Sequence, residues 1–133
     1  MKRARVLLAD DHAEVAEALK AILEADFDVV GVVANGPALL TAADLLKPDV
    51  IVTDIVMPGM DGLKATAAIV ERTPDARIVL VTAHEEKGIR RLGLAAGALG
   101  YVVKFRADDD LLPAVHAALK GECFVGSVSA RPC

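Results

Sequence analysis

Aromatic residues are scarce in this chain. It has no Trp, one Tyr and three Phe, 3% of residues against 54% hydrophobic in all. Any core must therefore rest on Val, Leu, Ile and Ala. Cysteine is scarce too. Cys123 and Cys133 are the only two, and no C-x-x-C pair or Cys/His cluster points to zinc. Both are expected to be free thiols, as in a reducing compartment. Clustered positive charge is missing: 15 Lys and Arg stand against 19 Asp and Glu, a formal charge of −4. That is not a nucleic-acid footprint. Long hydrophobic runs are missing as well, and none approaches the roughly 20 residues of a membrane span. Lys2, Arg3 and Arg5 precede only a short apolar run before Asp10, too short for a signal peptide. The expectation is a cytoplasmic protein with no membrane partner. At 133 residues it forms one domain, able to bury a core without structural metal.

What is present is an alternation. Apolar runs at Arg5–Ala9, Asp28–Ala34, Asp49–Thr53, Arg77–Val81 and Leu99–Val103 read as strands. Between them lie helical patterns. Val15, Ala18, Leu19, Ile22 and Leu23 share one face of the first. The others run over Ala38–Leu46, Leu63–Glu71, Glu85–Ala96 and Asp108–Lys120. Asn35-Gly36-Pro37 reads as a turn. Pro48 stops the second helix, Gly97 caps the fourth, and Gly121 ends the last. Glu122–Cys133 is linker-like. Continuous apolar strands suit a sheet covered on both faces. Right-handed crossovers then give an α/β fold with a doubly wound, five-stranded parallel sheet.

In such a sheet, ligands sit outside the carboxyl ends of the strands. Asp10 and Asp11 end the first run, Asp54 the third, Thr82 the fourth and Lys104 the fifth. Each has an ordinary alternative. Asp11 can cap a helix, Thr82 can be a strand-end β-branched residue, and Lys104 can be a solvated surface lysine. Together they read differently. Three carboxylates repel one another unless a cation joins them. Mg²⁺ takes one or two carboxylates, keeps waters and accepts phosphate oxygens. A carboxylate can be a nucleophile that forms an aspartyl phosphate. Asp54 precedes the stiff loop Met57-Pro58-Gly59-Met60-Asp61-Gly62, which leaves it open to a reagent. Lys104 suits a phosphoryl oxygen as a point charge.

These residues, with Val81-Thr82-Ala83 and Gly100-Tyr101-Val102-Val103-Lys104, resemble the receiver domain of bacterial two-component response regulators. The resemblance covers residues 3 to 121. It implies a flavodoxin-like receiver fold, with the domain at 2–121 and the tail at 122–133. It implies Asp54 as phosphoacceptor, Asp10 and Asp11 as Mg²⁺ ligands with Asp54 and the Val56 carbonyl, and Thr82 and Lys104 on the phosphoryl group. Tyr101 would be the aromatic switch, turning inward as Thr82 moves toward phosphate. The partner would be a sensor histidine kinase, with a homodimer on phosphorylation. The segment from Gly97 to Lys104, and Lys120-Gly121-Glu122, are similar to the NarL/FixJ (LuxR-type) class. There a linker and a DNA-binding domain usually follow. The sequence stops at Cys133, so the expectation is a fragment or stand-alone receiver without that domain, not binding DNA alone. Phe105 stands where receivers often have Pro, which disfavours a cis bond after Lys104.

Competing functions lack a needed residue. A haloacid-dehalogenase-type enzyme needs an acid two residues after its nucleophile, and Val56 cannot move protons. A flavin module needs a hydroxyl-rich loop after the first strand, where two acids stand. All five site residues are present, which disfavours a degenerate receiver working without phosphorylation; that reading and a stand-alone receiver acting by protein contact are the alternatives. The chain is thus expected to be a phosphorylation-controlled switch that feeds transcription. It would be no enzyme beyond its own phosphoryl transfer and dephosphorylation. In receivers, the residues two past the phosphoacceptor and two past the threonine border the path of hydrolytic water, and the resemblance puts Val56 and His84 there. Val56 offers it no hydrogen bond, so the mark is expected to be long-lived.

Overall fold

A computed structural model of the chain describes residues 3–83, 87–125 and 131–132. Strands and helices alternate in order: β1 (Arg5–Ala9), α1 (Ala13–Leu23), β2 (Asp28–Val33), α2 (Gly36–Leu46), β3 (Val50–Asp54), α3 (Gly62–Arg72), β4 (Ile78–Thr82), α4 (Lys87–Ala96), β5 (Gly100–Val103) and α5 (Ala107–Leu119). A 3-10 turn, Lys104–Arg106, links β5 to α5, and β6 (Glu122–Val125) and β7 (Arg131–Pro132) follow.

The sheet runs β2-β1-β3-β4-β5-β6-β7. The five expected strands pair in parallel. Two more extend the sheet. β6 lies parallel to β5, and β7 antiparallel to β6. The start of the expected linker-like tail is therefore strand. Alternation along each strand divides the core. Val6, Leu8, Val50, Val52, Val79, Val81 and Val102 pack with α1 and α5. Leu7, Ala9, Ile51, Ile78, Leu80, Tyr101 and Val103 pack with residues of α2 and α3. Burial on both faces explains why the strands read as unbroken apolar runs.

Two local expectations, and the alternative reading of Asp11, need correction. Asn35-Gly36-Pro37 is a helix start: Asn35 Oδ1 accepts from Ala38 N at 2.7 Å, and Pro37 stands in the first turn, where a missing N–H costs nothing. The cap of α1 is His12, without a side-chain cap bond, so Asp11 is not the cap. Cys123 is disulfide-bonded rather than a free thiol. β6 and β7 fold back on each other, with Cys123 opposite Arg131. Redox compartment says nothing about such proximity. Cys133 lies outside the described residues, as do His84 and Glu85, the expected start of α4. Gly97, at φ 113, ends α4 as expected. No cis peptide occurs among the described residues, so Lys104–Phe105 is trans. No described helix is long and apolar enough to cross a membrane.

Candidate functional site

Register brings the strand ends level. Ala9 stands beside Thr53, Asp54 beside Val81, and Thr82 beside Val103. The residues at or just past these ends, Asp10, Asp54, Thr82 and Lys104, therefore meet along one edge of the sheet. Apolar neighbours bury them. Asp10, Asp54 and Thr82 are each less than a tenth exposed.

Lys104 holds the centre. Its Nζ donates to Asp54 Oδ2 at 3.0 Å and lies 2.9 Å from Asp10 Oδ2. Burial pushes the Lys104 pKa down. The two carboxylates more than offset this and hold it above the ordinary 10.5. The contact to Asp10 Oδ2 is one of charge, since that buried oxygen accepts no aligned hydrogen bond. Asp10 Oδ1 accepts from the His12 N–H at 2.9 Å. Asp54 Oδ1 receives a long contact from the Val56 N–H at 3.4 Å, which sets Val56 beside the carboxylate. The Val56 side chain is 73% exposed.

The loop after Asp54 returns on itself. Gly62 N donates to Ile55 O at 2.6 Å, and a Cβ on Gly62 would overlap the Asp54 carbonyl oxygen. Only glycine permits this approach. Asp61 caps α3 by accepting from Lys64 N at 2.8 Å. Tyr101 is buried in the core on β5, the strand that α4 packs against, opposite Leu80 and diagonal to Thr82 on the same face.

One ligand atom from each of Asp10, Asp11, His12 and Asp54 lies within 4.8 Å of the others. The carboxylates are hard donors, and Asp10 brings a buried oxygen with unused acceptor capacity. These residues fit a small divalent cation that keeps part of its water. His12 escaped the sequence reading. Its only signal was its place directly after the acid pair. A cavity of about 400 Å³ lies elsewhere, at the amino ends of β3 and β4, and has no part in this arrangement.

The profile of the response regulator receiver domain matches residues 6–116. The chain is 40% identical over 120 residues to the transcriptional regulatory protein LiaR of Bacillus subtilis, covering 89% of this chain and 57% of LiaR. It is 38% identical over 123 residues to the nitrate/nitrite response regulator NarL of Escherichia coli, covering 90% and 56%. It thus spans little more than half the length of these curated relatives. Among solved structures it is similar to the receiver domain of the NarL regulator of Mycobacterium tuberculosis. The TM-score is 0.86 at 32% identity, over 91% of this chain and 99% of that one.

Proposed function

The chain belongs to the response regulator receiver domain family, and from that premise we propose that it is a phosphorylation-controlled switch of a two-component system. Response regulators are signalling proteins, and this chain's relatives include transcription regulators. Asp54 accepts a phosphoryl group from the phosphohistidine of a sensor kinase. The N–P bond of the donor breaks and an O–P bond forms on the carboxylate. The observation that carries this reading is the Lys104 ammonium held between Asp54 and Asp10 at 3.0 and 2.9 Å.

Asp10, Asp11 and Asp54, with the Val56 carbonyl, would hold Mg²⁺, which when bound neutralises charge on the phosphoryl oxygens. Lys104 exchanges its carboxylate contact for a phosphoryl oxygen, without needing to enter the site. Thr82 supplies a hydroxyl from the neighbouring strand end. Positioning and charge do the work, as phosphoryl transfer requires. Thr82 and Tyr101 share a sheet face, so a shift of one bears on the other. The added charge biases an existing two-state equilibrium. Transcriptional output, dimerisation and DNA contact through a further domain belong to the same proposal.

Treatment with acetyl phosphate and Mg²⁺, followed by intact mass, tests it. One phosphoryl group should add to the parent and none to Asp54→Asn. Labelling of the variant at the parent's rate overturns the assignment.

A further inference from the structure

We infer that His12 makes the acidic site a binding site for late first-row transition ions, which exclude Mg²⁺ from it. The inference rests on the proposed Mg²⁺ site. His12 Nδ1 lies 3.2 Å from Asp11 Oδ1 and 3.6 Å from Asp10 Oδ1. The side chain makes no cap bond to α1 and is 67% exposed, so these two carboxylate contacts alone orient it among the described residues. Asp11 is also partly exposed, at 26%. Asp10 and Asp54 are buried and fixed.

Donors on one such ion stand about 2.0–2.2 Å from it, hence within roughly 4.4 Å of each other. The four donor atoms here already lie within 4.8 Å. Small rotations of the two exposed side chains close the difference. The donor types then decide which ion wins. Mg²⁺ gains little from an imidazole, since it prefers oxygen and retains water. Ni²⁺, Cu²⁺ and Zn²⁺ gain much, and the general order of affinities favours them over lighter ions. The buried Asp10 Oδ2 is held by the Lys104 ammonium at 2.9 Å, so an ion of either class would have to share or displace that contact. His12 thus adds an ion-selecting donor that the three carboxylates lack.

The test is calorimetric titration of the full chain with Ni²⁺ alone, with Mg²⁺ alone, and with Ni²⁺ in excess Mg²⁺. His12→Ala and His12→Gln are compared with the parent, and circular dichroism checks their fold. Both variants should weaken Ni²⁺ by about tenfold or more while changing Mg²⁺ by less than about twofold. Excess Mg²⁺ should compete with Ni²⁺ in the parent. Bound Cu²⁺ should show imidazole nitrogen coupling in its electron spin resonance that both variants lose. Equal Ni²⁺ affinity in parent and variants, or Ni²⁺ binding that Mg²⁺ does not weaken, overturns the inference. Loss of the underlying Mg²⁺ site shows separately, as a parent whose Mg²⁺ affinity Asp11→Ala leaves unchanged.

Discussion

Lys104 is the residue whose surroundings most change its chemistry. Its pKa is raised in the fold, so the folded chain holds that proton more tightly than the unfolded one. Its stabilising contribution is complete below the ordinary 10.5 and is lost as pH rises through the raised folded value. The stability gap between parent and Lys104→Met, from urea unfolding, should stay level from neutral pH to about pH 10 and close above it. A gap that closes nearer neutrality contradicts the ion-pair account. Val56 bears on a proposed property, the lifetime of the phosphoryl group. It is exposed beside Asp54 and offers hydrolytic water no side-chain hydrogen bond. Decay of the phosphoprotein after donor removal should be slow, and Val56→Asn should speed it by about tenfold, or about 1.4 kcal/mol of barrier. Unchanged decay removes Val56 from this role. At this scale the sequence was informative about Asp54, Thr82 and Lys104, because each ends an apolar run. It left His12 unread and offered Asp11 as the possible helix cap, because Asp is the preferred cap type and only backbone angles put His12 in that place.

Elements were legible where one physical signal dominated. Strands buried on both faces are apolar throughout, so β1, β3, β4 and β5 stood out. Asn35 was ambiguous because Asn serves both turns and helix caps, and Pro37 suits both as well. The closure of the β3–α3 loop was not legible at all. It depends on Gly62 touching Asp54 across a turn, which neither residue's type announces. Gly62→Ala should therefore push the loop off the Asp54 carbonyl, at a cost of about 1–3 kcal/mol. Chemical denaturation measures the loss, and labelling by acetyl phosphate should slow with it. A variant of parental stability and labelling rate rejects the claim that this contact positions Asp54.

At the scale of the molecule, residues 1–133 carry a formal charge of −4. No sequence-specific retention of a DNA duplex is expected from this chain at physiological salt, by gel shift or fluorescence anisotropy. Specific retention contradicts that expectation. The parallel sheet followed from the five-fold alternation, but its two additional strands did not. Glu122–Val125 is short, and its pairing with β5 depends on where α5 delivers the chain.

β5 is entirely buried, and as the last strand it would leave a row of unpaired backbone N–H and C=O groups open to any passing chain. Such an edge is a template for fibre growth. β6 occupies it, and β7, only two residues long and including Pro132, which has no N–H to offer, comes last. The pair of β6 and β7 therefore guards this edge. On this side a neighbouring copy meets the short, donor-poor β7 instead of β5, while β2 forms the opposite edge.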